Sequence, residues 1–270
     1  MIKFFRKIRQ RFISEGKISK YLLYAIGEIV LVVIGILFAL QINTWNEDRK
    51  NRNEQHFLLN KLEMDIRSDV DEIGQKISRG EHGIANFIFC LEVLSRQKEV
   101  THEEFMSSFG SILGINYFDQ NTTTFDNLVS SGKIDLIEDQ QLLDSLVSYY
   151  NKDYKGWDTA NRDYTRNILA PYFMSYDHIP QMSRAKGNDD PESGLHGREV
   201  PGVFYDADVS LFDVKPKTIE DYRKDLFIIN ALRAKIFNLE GQRLAYLELR
   251  QEMQGMIKMI EEEKERLTTL

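Results

Sequence analysis

The most unusual residue in the chain is Glu28, a carboxylate within an apolar run. The run reads YLLYAIGEIVLVVIGILFALQINTW from Tyr21 to Trp45, and Glu28 is the one charged residue between Tyr21 and Ile42. About 20 apolar residues suffice to cross the hydrocarbon core of a bilayer. Because a charged carboxylate in that core costs several kcal/mol, we expect Glu28 to be neutral or to have a partner.

The spacing of Glu28, Gly35 and Ala39 places these three residues on one stripe, since a helix advances about 100° per residue. Gly35 and Ala39 form a small-xxx-small pair, which lets a second helix approach closely. Glu28 on this stripe is a candidate for a hydrogen bond across the contact or for a proton relay with a multi-span protein. A third reading is a carboxyl group near the headgroups, about 12 Å along the axis from Lys20. The sequence leaves all three open.

The residues that flank the run indicate its orientation. Seven lysine and arginine residues precede it, whereas the segment NEDRKNRNE that follows carries both signs. The positive-inside rule therefore predicts a cytoplasmic N-terminus and an extracytoplasmic body. The run is too long for a signal peptide and no small-residue cleavage site follows it, so we expect an uncleaved, single-pass anchor. The predicted segments are a basic tail (1–20), a transmembrane helix (21–43) and an extracytoplasmic domain (44–270).

The other residues that often carry chemistry form no recognisable set. His178 and His196 lie with acidic residues in a polar loop at about 177–202, but their spacing matches no known metal site. Cys90 is the one cysteine, so no disulfide can form within the chain.

Three closely spaced methionines near the C-terminus, Met253, Met256 and Met259, are typical of side chains that fill gaps in a core. The chain lacks the motifs of a serine nucleophile elbow, a phosphate-binding loop and a zinc protease. We therefore predict that the protein is not an enzyme and that it has no cofactor or metal.

Two stretches resemble the signatures of a known family. One is MIKFFRKIR followed by SKYLLYAIGEIVLVVIGILFALQINTWNE, and the other is TTTFDNLVSSGKIDLIEDQQLLDSLVSYY. They resemble an uncharacterised family of single-span envelope proteins from Gram-negative bacteria, known as a domain of unknown function. The resemblance implies an inner-membrane location with a periplasmic body, and it implies no activity.

The positions of the prolines indicate where long helices are permitted. All five prolines fall within 171–216, so long helices can form on both sides of that segment. Apolar residues recur every three or four positions after the membrane run, which predicts that the helix continues to about Ser78. The two glycines of SRGEHG are expected to end it, and a second helix is predicted at about 84–97.

Shorter helices are predicted in the middle of the chain. Thr101 and Glu104 form a capping box for a helix that extends through Leu113. A short helix is predicted at 124–130, with Gly132 as its left-handed C-terminal cap.

The remaining elements complete the prediction. Asp139 is expected to cap a helix that continues toward Leu169. One short strand is predicted at 203–214, and a long amphipathic helix at about 218–267.

Together these elements predict an all-α protein. One N-terminal transmembrane helix continues into an extracytoplasmic antiparallel helical bundle with long, coiled-coil-like first and last helices. Residues 44–270 carry twelve more acidic than basic residues, which argues against nucleic-acid binding.

We predict a periplasmic interaction or scaffold module in a bacterial inner membrane. Its partners are the lipid bilayer and, through the transmembrane helix, either a second copy of the chain or another membrane protein. The alternative is a ligand-sensing or energy-coupling subunit that acts through a membrane partner by means of Glu28.

Overall fold

The first element that the structure describes is a single long helix. This helix, α1, runs over Ile18–Leu94 in the computed structural model, which describes residues 18–175 and 217–269. The prediction that the apolar run continues into a longer helix is confirmed. The predicted end near Ser78 and the separate helix at 84–97 are wrong.

Seven more α-helices follow among the described residues. They are α2 (His102–Phe109), α3 (Thr123–Ser130), α4 (Gln140–Asn151), α5 (Gly156–Tyr164), α6 (Ala170–Ser175), α7 (Ile219–Arg223) and α8 (Leu226–Thr269). The described residues are 86% helical and contain no strand, as the all-α prediction requires. The predicted loop at 177–202 and the predicted strand at 203–214 lie outside the described residues.

Two glycines lie inside α1, and close tertiary packing explains Gly83 but not Gly80, where the contact is of ordinary length. A Cβ atom at Gly83 would lie 3.1 Å from Cδ1 of Leu239 on α8, and one at Gly80 would lie 3.9 Å from the Asn116 side chain. A glycine within a helix costs about 1 kcal/mol relative to alanine. At Gly83, the close approach of α8 offsets that cost. This contact cannot be read from the local sequence.

The predicted caps of the middle helices are confirmed. Thr101 and Glu104 make the reciprocal capping box of α2, which is followed by a 3₁₀ turn at Gly110–Leu113. Gly132 has φ of +69°, the left-handed conformation that glycine adopts without strain. The Asp139 side chain accepts a hydrogen bond from the backbone N–H of Leu142 at the start of α4.

The predicted continuation of α4 toward Leu169 is wrong. The helix ends at Asn151, and Lys152 is extended, with ψ of 129°. This departure allows the Tyr154 hydroxyl to accept a hydrogen bond from the Gln120 backbone N–H at 3.0 Å. Helical structure resumes with α5 and continues through a π-helical turn at Thr165–Leu169 into α6.

The predicted C-terminal helix is interrupted once. Lys224 and Asp225 separate α7 from α8, and the Asp225 carboxylate accepts a hydrogen bond from the Phe227 backbone N–H at 3.1 Å. This bond satisfies one of the backbone donors that a helix leaves free at its N-terminus. The long helix thus begins at Leu226, eight residues later than the predicted start at 218.

The chain divides into two compact units, one of Met1–Asn60 with Leu267–Leu270 and one of Lys61–Arg266. In the second unit, α1 and α8 are antiparallel. Lys264 donates to Glu63 at 2.6 Å near the end of α8, whereas Leu239 near its beginning lies beside Gly83.

The second unit has an aromatic cluster in its core. Phe109 contacts Phe105, Phe173 and Tyr222, with ring centroids 5.2–5.8 Å apart. Aromatic pairs at such distances add about 0.5–1.5 kcal/mol beyond their buried area. The cluster therefore joins α2, α6 and α7, which are distant in sequence.

Candidate functional site

The apolar run in the first unit is exposed along α1. α1 is the one described helix that is long and apolar enough to cross a membrane, and none of its most apolar stretch is buried within the chain. Gln55 and Leu59, further along α1, are fully or almost fully buried. The apolar residues are thus not explained by packing within the chain.

The predicted interface residues lie within this exposed part of α1. Gly35 and Ala39 are exposed, and Glu28 is partly exposed. A Cβ atom at Gly35 would meet nothing within 4 Å, so the small side chain is not required by a neighbour in the chain. The unbroken helix places the three residues on one stripe by their spacing, as the sequence predicted.

A second candidate site lies in the core of the second unit, around a buried lysine on α8. The Lys235 side chain is 1% exposed. Its ammonium donates to Gly114 O at 2.9 Å, Asn161 Oδ1 at 2.8 Å and Thr165 Oγ1 at 3.0 Å. These three acceptors are neutral and match the three donors of an ammonium group. Burial lowers the pKa of Lys235 to about 8.

Two turns further along α8, Gln242 and Tyr246 meet a buried carboxylate of α5. Asp158 Oδ1 accepts from Gln242 Nε2 at 2.6 Å and from the Tyr246 hydroxyl at 2.7 Å. Its other oxygen accepts from the Phe118 backbone N–H at 3.3 Å. Burial and the Asp158 contact raise the pKa of Tyr246 above its usual range, so this hydroxyl stays protonated.

These groups form two neighbouring polar clusters along α8, one around Lys235 and one around Asp158, which are together called the polar network of α8, α5 and the segment 114–118. Asn116 O accepts from Gln242 Nε2 at 2.7 Å, and the Asn116 side chain donates to Lys76 O on α1 at 2.8 Å. Such groups are costly to bury unless they are hydrogen-bonded, and the bonds that they make favour one arrangement of the helices. Asn116 Oδ1, Asn161 Nδ2 and Gln242 Oε1 are buried without a hydrogen-bond partner among the described residues, so part of that cost remains. The network therefore fixes the register of α8 against its neighbours.

This network was not predicted from the sequence. The C-terminal helix was predicted only as amphipathic, and the buried polar residues on its core face are Lys235 and Gln242. The sequence does contain one indication of it. Lys235, Gln242 and Tyr246 are spaced by seven and four residues, so these polar side chains share the core face of α8. Their partners on α5 and in the segment 114–118 follow no pattern readable from the sequence.

A third buried group, Asp69 on α1, anchors the segment before α3. The Asp69 carboxylate accepts from the Asn121 backbone N–H at 3.1 and 3.2 Å and from the Tyr149 hydroxyl at 3.1 Å. Burial, with a smaller contribution from the nearby Glu72 and Asp65 carboxylates, raises the pKa of Asp69 to about 6. The group is therefore an ionisable link between α1, α3 and α4.

The sulfur-containing residues are part of the core. Cys90 is buried, and burial raises the pKa of its thiol to about 12, which makes the thiolate scarce at neutral pH. Met253 and Met256 are buried, as the gap-filling prediction requires. The Met253 sulfur also lies 3.1 Å from the Tyr149 hydroxyl oxygen, whose one hydrogen is shared with the stronger acceptor Asp69.

The remaining candidate sites offer few groups that could carry chemistry. A shallow depression of about 390 Å³ is lined by His102, Lys217, Thr218, Ile219 and Glu220. The histidines considered as metal ligands in the polar loop lie outside the described residues. Within the described residues, no group of histidine, cysteine and acidic side chains is placed to hold a metal ion.

By its fold, the chain is an all-helical protein with an exposed, apolar N-terminal helix. The model of the Family of unknown function (DUF6090) matches residues 28–167, which is more than half of the chain, and the chain belongs to this family. Comparisons with curated proteins and with solved structures give no match. The matched segment includes Asp158 and Asn161, whereas their partners on α8 lie beyond it.

Proposed function

We propose that the protein is a single-span protein of a bacterial inner membrane, with its N-terminus in the cytoplasm. Its helical domain would act in the periplasm as an interaction or scaffold module without catalytic activity. The observation that carries this proposal is the apolar run of α1, none of which is buried within the chain. The basic residues that precede the run support the orientation.

The part of the proposal that the domain is not catalytic is supported by how the buried ionisable groups are used. Lys235, Asp158 and Asp69 each hydrogen-bond between separate elements of the fold. A catalytic group would instead need access to a substrate in a cleft. These side chains serve to hold helices in place.

Membrane fractionation tests the anchor and its orientation. We expect the full chain, tagged at its C-terminus, to stay in carbonate-washed membranes. The tag should be digested by protease in spheroplasts but not in intact cells. The matched control is a chain that starts at residue 44, which should be recovered in the soluble fraction. Recovery of the full chain in the soluble fraction would refute the anchor, and protection of the tag in spheroplasts would refute the orientation.

Crosslinking and affinity purification from intact membranes test the role of Glu28. The wild type is compared with Glu28→Gln and with the control Glu47→Gln, which removes a carboxylate outside the apolar run. If Glu28→Gln alone loses a captured protein, Glu28 is part of the contact with that protein. The identity of the protein then distinguishes a contact between helices from a proton relay. Identical captures from all three proteins would show that Glu28 is not needed for partner binding.

A further inference from the structure

In the second unit, ion pairs border one side of the contact between α1 and α8. Measured from Gly74 at 100° per residue, Glu63, Arg67 and Glu81 lie within about 20° of it, so the four residues form one stripe on α1. The three charged members each pair with α8: Arg243–Glu81 at 3.6 Å, Arg67–Glu261 at 2.6 Å and Lys264–Glu63 at 2.6 Å. Gly74 is the member of the stripe that has no charge to offer.

The residue of α8 that lies at Gly74 is Arg250. Arg250 follows Arg243 by seven residues and Gly74 precedes Glu81 by seven, so the two contacts are equivalent positions along the antiparallel helices. A Cβ atom at Gly74 would lie 3.9 Å from Cζ and Nη2 of Arg250, which places the guanidinium beside the glycine. One contact thus joins an arginine to a glutamate, whereas the other has the arginine without the acid.

The Arg250 guanidinium has unused donors. Within the described part of the chain, its Nε is buried without a hydrogen-bond partner, and no carboxylate forms an ion pair with it. The side chain is partly exposed, so its outer nitrogens reach the surface. The nearest acidic residues along α8, Glu248 and Glu252, lie 3.8 and 2.5 Å from Lys152 Nζ instead. A guanidinium has five N–H donors in a fork that matches a carboxylate, so the group is suited to an acceptor from elsewhere.

Close packing does not explain the glycine at position 74. The 3.9 Å contact is of ordinary length, so alanine would fit there and would favour the helix more. A longer side chain on this stripe would extend toward the guanidinium, as Glu81 extends to Arg243. Gly74 therefore leaves one side of Arg250 open.

We propose that Arg250, with Gly74 at its open side, is a binding site for a carboxylate group from outside the chain. The group is either an acidic side chain of another protein or a free carboxylate, and each would complete the row of ion pairs beside α1 and α8. An acidic partner would give the interaction module its binding chemistry, and this use rests on the proposed function. The binding of a carboxylate itself does not depend on where the chain is located.

Titration of the full chain in detergent micelles with sodium acetate tests the site. The arginine Nε–H signals are followed by ¹⁵N NMR at an ionic strength kept constant with sodium chloride, and Arg250→Lys identifies the Arg250 signal. This signal should shift with half-saturation on the order of 10 mM, because a small ligand with one charged contact binds weakly. The signal of the exposed control Arg233 should shift at least about fivefold less. Equal shifts of both signals, or no saturable shift of Arg250, would overturn the proposal.

Substitutions at position 74 supply a matched pair of variants. In Gly74→Glu, the new carboxylate should pair with Arg250, so the Arg250 signal should be shifted without acetate and should no longer respond to it. Gly74→Ala is the control and should respond as the wild type does. An unchanged response of Gly74→Glu would contradict the site. Asp71→Asn tests an acid of the chain itself, one turn away on α1. If Asp71→Asn moves the Arg250 signal as far as acetate does, the arginine already has a partner and the proposal fails.

Photocrosslinking in membranes distinguishes the two sources of the carboxylate. Benzoylphenylalanine replaces Leu247, which is 38% exposed and lies one turn before Arg250. A crosslinked protein that is lost in both Gly74→Glu and Arg250→Gln identifies an acidic side chain as the ligand. Unchanged crosslinks together with a saturable acetate shift identify a free carboxylate. A crosslink within one chain that Gly74→Glu abolishes would overturn the proposal.

The same experiments separate this site from the proposed function, since the acetate titration requires no membrane. A chain that binds acetate at Arg250 but is recovered in the soluble fraction would refute the anchor and leave the site intact. A membrane-bound chain whose Arg250 signal does not respond would refute the site and leave the anchor intact.

Discussion

At the scale of single residues, the protein buries ionisable groups at the contacts between its helices. Lys235 is held by three neutral acceptors, and Asp69 is held by two backbone or hydroxyl donors. Burial disfavours the charged form of each group, so the pKa of the lysine falls to about 8 and the pKa of the acid rises to about 6. These opposite shifts make stability depend on pH in opposite ways.

Lys235→Met is expected to change the dependence of stability on alkaline pH. Between pH 8 and the unfolded lysine pKa of about 10.4, the unfolded wild type binds a proton that the folded protein has lost. The free energy of unfolding of the wild type should therefore rise relative to that of Lys235→Met, by about 1–2 kcal/mol from pH 7.5 to 9.5. Urea denaturation at both pH values measures this difference. A constant difference would mean that Lys235 keeps an ordinary pKa.

Asp69→Asn is expected to act in the acidic range. Between pH 3.8 and 6, the folded wild type binds a proton that the unfolded chain has lost, so this stabilisation disappears as the pH rises through 6. From pH 4.5 to 7, the free energy of unfolding of the wild type should fall by about 1–2 kcal/mol relative to Asp69→Asn. Denaturation curves of the two proteins at both pH values test the sign. A relative rise would contradict the pKa shift.

At the scale of elements, close packing decides what a glycine does. A Cβ atom at Gly241 of α8 would lie 2.6 Å from three atoms of the Trp157 ring, whereas one at Gly255 of the same helix would meet nothing within 4 Å. Both residues have helical neighbours on each side. The two glycines therefore have the same helix propensity and different surroundings.

Alanine substitution separates these two effects. Gly255→Ala should raise the free energy of unfolding by about 0.5–1 kcal/mol, because alanine favours the helix. Gly241→Ala should lower it by about 1–3 kcal/mol, because the indole must move. Thermal denaturation of both variants followed by circular dichroism measures the difference. Stabilisation by both substitutions would mean that Trp157 shifts without cost.

At the scale of the whole molecule, the second unit (Lys61–Arg266) requires α8. The family match ends at residue 167 and does not include this helix. The helix lies beside α1 at Gly83 and supplies Lys235 and Gln242 to the buried network. Without α8, the Asp158 and Asn161 side chains would lose these partners. Removing a partner from a buried polar group costs about 1–3 kcal/mol each time, in addition to the lost apolar contacts.

A chain of residues 44–175 is therefore expected not to fold, although it contains most of the matched family segment. A chain of 44–270 is the control and should fold, because it retains all of Lys61–Arg266. Limited proteolysis and the cooperativity of thermal unfolding compare the two. Cooperative unfolding of the chain without α8 would show that the segment 44–175 has a sufficient core of its own.

The sequence by itself determined the features that depend on near neighbours in the chain. The all-helical class, the capping box at Thr101, the left-handed Gly132 and the Asp139 cap were predictable, because each follows from residues within about one turn. The stripe of Glu28, Gly35 and Ala39 follows from helical periodicity alone. The function of that stripe is still a prediction.

The tertiary structure decided what depends on distant contacts. Gly83 stays within α1 because Leu239, far along the chain, packs closely against it, and α4 ends early where Tyr154 meets Gln120. The buried site of Lys235 exists because α5 and Gly114 bring neutral acceptors to it. Local propensities differ by about 1 kcal/mol or less per residue, so packing and buried hydrogen bonds of similar or greater size override them.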